Sequence, residues 1–107
     1  MAVTVNSQSV TLNAVAGGDD VIILNPGAGK RVRGTGFKLT HSNGGLIRLH
    51  WGDLSGGDFV WEESIGVPPD CAGLTGVDIE GAIGAILKIS SPAGTLNGTA
   101  FVYAANR

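Results

Sequence analysis

Short apolar segments recur along this chain and are separated by turn-forming residues. Val, Ile, Thr and aromatic residues concentrate in segments near 3–5, 9–15, 20–24, 30–41, 45–52, 58–63, 74–80, 84–90 and 96–105. Clusters of Gly, Asn, Asp, Ser and Pro lie between them, and these are the residues that turns require. No window carries the 3.6-residue apolar period of a helix. The pattern predicts an all-β fold, an antiparallel β-sandwich with little or no helix.

Alternation within the segments predicts which side chains face the core, because successive residues of a strand point to opposite faces. Leu49 shares a face with Trp51, and Phe59 shares a face with Trp61, so we expect these four side chains to be inside. The segment 30–41 breaks the alternation, since Val32 and the pair Phe37 and Leu39 have opposite parity. One extra residue must be absorbed there, and Gly34 or Gly36 is the expected bulge position.

Two segments are apolar on both faces, namely 21–24 and 100–104. In an antiparallel sandwich only one face of each sheet packs on the core, so another subunit is the simplest cover for the second face. Composition favours the same view. Charged residues are 15% of the chain against roughly 25% in an average soluble domain, and 18 of the 107 residues are Gly, which loses much backbone entropy on folding. We expect a component of an assembly.

The charge is unevenly placed along the chain. Residues 1–50 carry five basic and two acidic side chains, and residues 51–107 carry two basic and seven acidic ones. Complementary contact between subunits is one interpretation of this split, and scattered solvated charges are the other. The net charge of −2 argues against nucleic acid as a partner. No apolar run is long enough for a membrane span, and the first residues lack a signal-peptide pattern, so we expect folding in the cytoplasm.

Several residues are of types that carry out catalysis or bind ligands, but their spacing and strand positions do not favour such roles. Asp78 and Glu80 share a strand face, as a glycosidase carboxylate pair would, but a solvated strand edge suits them better. The tryptophans and Tyr103 could form a sugar platform, although parity places the tryptophans in the core. His41 and His50 are expected at the surface or rim, too far apart for one metal. We therefore predict no catalytic residues, cofactor, metal or small-molecule substrate.

The succession of motifs resembles a known family. Asn-Pro-Gly-Ala-Gly-Lys-Arg-Val-Arg occupies 25–33, Gly-Phe-Lys-Leu-Thr occupies 36–40, Leu-Ile-Arg-Leu-His-Trp-Gly-Asp occupies 46–53, and Leu-x-Gly-Thr-Ala-Phe-Val-Tyr closes the pattern at 96–103. This order is similar to the small jelly-roll capsid decoration (cement) proteins of tailed bacteriophages, from about residue 10 onward. The resemblance implies a jelly roll of about eight strands, over residues 9–107, with residues 1–8 as a flexible arm.

The resemblance also implies a function. Such a protein would bind the outer capsid surface as a homotrimer, contact the major capsid protein and stabilise the shell, with no enzymatic site. The alternative is a carbohydrate-binding or adhesin module of a phage tail or fibre, which an accessible tryptophan would favour. The predicted interface residues lie in the arm, in the two doubly apolar segments and in the basic strand, and they are Val3, Val5, Val21, Ile23, Arg31, Arg33, Ala100, Val102 and Ala104.

Overall fold

Two antiparallel β-sheets pack face to face in the computed structural model, which describes residues 2–5, 8–53 and 58–106. No helix occurs within these residues. The strands are β1 (Ala2–Val5), β2 (Val10–Ala16), β3 (Val21–Leu24), β4 (Lys30–His41), β5 (Gly45–Trp51), β6 (Asp58–Ile65), β7 (Ala72–Leu74), β8 (Ile79–Glu80), β9 (Leu87–Ser90) and β10 (Thr95–Asn106). The predicted all-β sandwich is confirmed.

The chain passes back and forth between the two sheets. Sheet A has the order β1-β2-β10-β4-β7, with the short β8 also paired to β4, and sheet B has the order β3-β9-β5-β6. Thus β2 lies in sheet A, β3 in sheet B, β4 in sheet A and β5 in sheet B. The expected single strand 74–80 is instead two short strands, β7 and β8. Gly76, with φ of 67°, lies between them, in a conformation that other residues rarely adopt.

The core lies between the sheets and is filled by aliphatic side chains from both. Every strand from β2 to β10 contributes at least one buried hydrophobic residue, and the contributors include Leu12, Ile23, Val32, Phe37, Leu49, Ile65, Ala72, Ile79, Leu87 and Val102. Phe37 of sheet A meets Trp61 of sheet B edge to face, with ring centroids 4.7 Å apart. Aromatic pairs prefer this arrangement over a flat stack, so the contact is a favourable link between the two sheets.

A bulge in β4 resolves the broken alternation. Phe101 of β10 pairs with Gly36, and the next residue, Val102, pairs with Gly34, so Thr35 is the extra residue. A Cβ placed on Gly34 would lie 2.5 Å from Val102 Cγ1, closer than real side chains approach. The predicted bulge is therefore confirmed, and β10 can approach the strand there because Gly34 has no side chain.

Two connections cross between the sheets, and the first strand differs in part from expectation. The turn 25–29 joins β3 of sheet B to β4 of sheet A. The segment 66–71 crosses from β6 of sheet B to β7 of sheet A, with a cis peptide between Pro68 and Pro69. Residues 2–5, part of the expected arm, pair with β2 as an edge strand of sheet A. Residues 1, 6 and 7 of that arm lie outside the described residues.

Candidate interaction surfaces

The outer face of sheet A has an exposed aromatic ring at its centre. Phe101 is 44% exposed and belongs to β10, which lies between β2 and β4. Its neighbours Ala100 and Val102 are buried, so alternation directs Phe101 away from the core. A shallow depression of about 330 Å³ lies beside the ring, lined by Lys38, Thr40, Asn97, Gly98, Thr99 and Phe101. We call these six residues the Phe101 patch.

The outer face of sheet B carries a cross-strand row that begins and ends with an exposed apolar side chain. Ile22 pairs with Lys88, Lys88 with His50, and His50 with Phe59. Ile22 is 49% exposed and Phe59 is 57% exposed. Soluble proteins usually keep aromatic side chains less accessible than this. The accessible ring of Phe59 therefore makes the edge of sheet B a second candidate for contact with another molecule.

Phe59 was expected in the core with Trp61, and that expectation is wrong. Leu49 pairs with Trp61, but the next residue, His50, pairs with Phe59. Val60 is therefore an extra residue on β6. A bulge of this kind reverses which face the residues on one side of it point to, relative to those on the other side. Phe59 therefore points outward while Trp61 stays against the core. Sequence alternation alone contains no sign of this bulge.

Charge differs between the two sheets. The strands of sheet A contain four Lys or Arg, all on β4, against one acidic residue, Glu80. The strands of sheet B contain two basic residues against three acidic ones, and all three acidic residues are on β6. Glu80 binds two of the β4 arginines, with Oε1 2.6 Å from Arg31 Nη1 and Oε2 3.4 Å from Arg33 Nη2. The uneven charge along the chain thus becomes a difference between sheets.

Three of the predicted interface residues are inside the molecule. Ile23, Ala100 and Val102 are 2%, 3% and 0% exposed, and they pack in the core between the sheets. They cannot contact a partner, so these predictions are wrong. In a segment that is apolar on both faces, alternation separates the faces without showing which one points inward. The neighbouring residues Ile22 and Phe101 are the ones that face outward.

The other predicted interface residues are at least partly accessible where they are described. Val3 is 38% exposed on the edge strand β1, Ala104 is exposed, and Val21 is half-buried. The half-buried Arg31 and Arg33 are held by Glu80 as described above. The side chain of Val5 lies outside the described residues. The basic residues and part of the apolar ones in the predicted interface thus stay accessible, and on β3 and β10 the fully outward positions are those of Ile22 and Phe101.

His41 was expected at the surface or rim, and the structure contradicts this because its side chain is fully buried. The Asn43 backbone N–H donates to His41 Nδ1 at 3.2 Å, so Nε2 carries the hydrogen and donates to the Pro92 carbonyl at 2.9 Å. Both ring nitrogens are thus used by backbone groups. His41 joins the turn after β4 to the turn after β9 and has a structural role.

His50 is also fully buried, which again contradicts the expectation of a surface histidine. Its Nδ1 lies 2.7 Å from the Gly52 carbonyl and donates to it. Ser90 Oγ lies 2.9 Å from Nε2 and accepts the Asp20 backbone N–H at 3.0 Å, so the Ser90 hydroxyl is free to donate to Nε2. Asp20 Oδ1 is 3.8 Å from the same nitrogen.

These three residues do not form a catalytic triad. In Ser-His-Asp catalysis the carboxylate orients the ring nitrogen opposite the serine. Here Asp20 and Ser90 both approach Nε2, and Ser90 is only 4% exposed, so its hydroxyl cannot meet a substrate. The cluster is a hydrogen-bonded connection between the start of β3 and the strands β5 and β9.

A depression beside Trp51 collects the residues proposed for sugar chemistry. Trp51 and Trp61 are half-buried and packed against the core. Trp51 borders a depression of about 230 Å³ that is also lined by Val60, Leu74, Val77, Asp78, Ile79 and Glu80. Both carboxylates are exposed, as expected for a solvated strand edge, and they border this depression. Glu80 is already engaged by Arg31 at 2.6 Å, which limits it as a catalytic acid or base.

The described residues were searched for a metal site and for a membrane-spanning helix, and the chain was compared with known proteins. Among residues 2–5, 8–53 and 58–106, no group of three or more His, Cys, Asp or Glu could hold a metal ion. The same residues contain no helix that is long and apolar enough to cross a membrane. Comparison with family models, curated proteins and solved structures found no match.

Proposed function

We propose that this protein is a bacteriophage virion structural protein, a capsid decoration (cement) protein that binds the outer head surface as a homotrimer. The observation that carries the proposal is the exposure of large apolar side chains on the outer faces of both sheets, where Phe59 is 57% and Phe101 is 44% exposed. With only 15% charged residues, the chain has little surface charge to keep these apolar faces of separate molecules from associating. Contact with other subunits buries them.

The strand order supports a jelly-roll fold for this protein. The order β2-β10-β4-β7 faces β3-β9-β5-β6, and the chain alternates between them as two interleaved Greek keys would. Double-sheet jelly rolls occur in viral capsid and lectin domains. Because fold alone does not establish function, the proposal depends on the exposed apolar residues and on the resemblance of the sequence motifs.

The proposed activity is mechanical. A subunit that binds the assembled shell and not its separated components stabilises the shell by mass action. A trimer that contacts several major capsid protein subunits at once adds the benefit of multivalency. Neither effect needs a cofactor, a nucleic-acid contact, a membrane or a small-molecule substrate. The site of action would be the virion surface, after synthesis in the host cytoplasm.

The test compares particles of the encoding phage made with and without this chain. We expect negative-stain images to show regular surface density on heads only when the chain is present, and heads lacking it to release DNA at lower temperature. Adding purified protein back should restore both properties. Absence of the protein from purified particles, or its presence on tails alone, would contradict the proposal.

A second candidate function is carbohydrate binding by a tail or fibre module. It is favoured by one observation, namely the depression that Trp51 forms with Asp78 and Glu80, since an aromatic face beside carboxylates is suited to a sugar ring with its hydroxyl groups. A glycan array with the wild-type protein tests it. Binding lost in Trp51→Ala and retained in Phe101→Ala supports the sugar site, and absence of any glycan signal removes it.

A further inference from the structure

We propose that the Phe101 patch of one copy binds the exposed Phe59 of a second copy, so that unlike surfaces of the same chain join. This inference rests on the proposed assembly function and names the surfaces that would form the contact. The contact is heterologous because sheet A of one molecule meets the edge of sheet B of the next. Three features support it, namely shape, charge and the cost of the alternative pairings.

The shapes of the two surfaces are complementary. Phe59 projects from β6, the edge strand of sheet B, with 57% of its surface accessible. The Phe101 patch contains a depression of about 330 Å³, which exceeds the volume of a phenyl ring. Seating Phe59 there would bring two exposed aromatic rings together, and edge-to-face or offset pairs of this kind are favourable beyond the area that they bury.

The charges around the two rings are complementary as well. Beside Phe101, β4 contains four basic residues and no acidic one. Glu80 of β8 binds two of them, so this part of sheet A keeps a net positive charge, and Lys38 lines the depression. Phe59 lies on β6, which contains three acidic residues and no basic one. One of them, Glu62, contacts Arg48 of β5, and the two strands together keep a net negative charge. Opposite charge across an interface speeds association and selects the partner. A negatively charged strand beside Phe59 thus fits the positively charged strand beside Phe101.

One basic residue does lie close to Phe59, but its charge is already balanced. Arg48 Cζ is 6.0 Å from the centroid of the Phe59 ring. Its Nε is 3.0 Å from Glu62 Oε2, a charge contact without hydrogen-bond geometry. The Phe59 ring therefore has a cation on one side, but the nearby Glu62 balances the positive charge of that cation. Arg48 holds the ring in place and leaves its accessible part for a partner.

Pairing like with like is the less favourable arrangement. Two Phe101 patches would bring two copies of the basic β4 together, and two Phe59 surfaces would bring two copies of the acidic β6 together. Like charges placed opposite each other disfavour such pairings. A heterologous contact closes into a ring when the rotation between copies allows it. A ring of three is the homotrimer of the proposed function.

The test uses two variants that each disable one surface. Phe59→Asp and Phe101→Asp both change an exposed residue, so the fold should persist, which circular dichroism checks. By sedimentation velocity, each variant alone should self-associate about thirtyfold more weakly than wild type, or worse. An equimolar mixture should form a one-to-one heterodimer, because the Phe59→Asp copy keeps its Phe101 patch and the Phe101→Asp copy keeps its Phe59.

Val67→Asp is the matched control. Val67 is 57% exposed, the same fraction as Phe59, and it lies on the 66–71 connection outside both surfaces. It should self-associate as wild type does. If Phe59→Asp or Phe101→Asp also self-associates like wild type, or if the mixture yields no heterodimer, the heterologous contact is overturned.

The outcome separates this contact from the proposed function. A wild-type chain that remains monomeric in solution yet decorates phage heads overturns the contact and leaves the function standing. A chain that shows the full complementation pattern but is absent from phage particles supports the contact and overturns the function.

Discussion

The two buried histidines lie at different corners of the sandwich and are held in different ways. His41 is bound at both ring nitrogens by the backbone, through the Asn43 N–H and the Pro92 carbonyl. His50 is bound by one backbone carbonyl, at Gly52, and by a side-chain hydroxyl, at Ser90. Both rings are 0% exposed. The corners therefore match in burial and differ in whether their partners can move.

That difference determines how much stability each corner should lose when its histidine is replaced. Around His41 the two turns are joined by further bonds: Asn43 Nδ2 donates to the Ala93 carbonyl at 2.7 Å and the Thr95 N–H donates to Ser42 Oγ at 2.9 Å. The Asn43 N–H and the Pro92 carbonyl belong to the backbone and cannot turn toward a new partner when His41 is replaced. At the His50 corner the Ser90 hydroxyl can rotate, and it keeps the Asp20 N–H as a donor. We expect the His41 corner to tolerate substitution less well.

The largest effect is expected for His41→Leu. Leucine has a volume similar to that of histidine, but it leaves the Asn43 N–H and the Pro92 carbonyl without partners, and each unpaired buried group costs about 1–3 kcal/mol. We expect the free energy of unfolding to fall by about 3 kcal/mol, as measured by urea denaturation. His41→Gln keeps a donor for Pro92 and should recover part of the loss. If both variants are equally unstable, packing and not hydrogen bonding dominates this corner.

A smaller loss is expected for His50→Leu. The Gly52 carbonyl loses its donor, whereas the Ser90 hydroxyl can rotate to another acceptor, so about 2 kcal/mol is expected from one unpaired backbone group and imperfect packing. The same urea measurement, made beside His41→Leu, checks the ranking. A loss equal to or greater than that of His41→Leu would contradict the distinction between the two corners.

The smallest effect is expected at Asp53, which lies on the surface near His50. Lys88 Nζ lies 2.6 Å from Asp53 Oδ1, and this hydrogen bond, with the charge of Lys88, lowers the pKa of the Asp53 carboxyl below its ordinary value of 3.8. A lowered pKa stabilises the folded state above the unfolded-state pKa, and the contribution disappears as pH falls through the folded-state pKa.

Asp53→Asn should therefore lower the urea midpoint slightly at about pH 7, and the difference from wild type should shrink as the pH falls through the folded-state pKa and the wild-type carboxyl becomes protonated. Added salt should reduce the difference at neutral pH, because the pair is exposed. A difference that persists unchanged in acid would mean that the substitution acts through something other than the charge of Asp53.

The candidate surfaces show how far alternation along a strand can predict a site. The pattern separated Phe101 from Ala100 and Val102, but both faces of that segment are apolar, so the direction of the core stayed open. At Phe59 the pattern predicted the wrong face, because the extra residue Val60 appears only in the pairing of β6 with β5. The histidines were placed at the rim because covering segments distant in sequence cannot be inferred from local alternation.

By itself, the amino-acid sequence determined that this chain forms strands, roughly where each lies, and that β4 must contain a bulge between Val32 and Phe37. These properties are local, since they depend on β-propensity, turn residues and parity along one segment. Only the tertiary structure decided which face of β3 and β10 is buried, that Phe59 points outward, and that both histidines are enclosed. Those outcomes depend on strand register and on which distant segments cover each sheet, and neither quantity is contained in the pattern of a single strand.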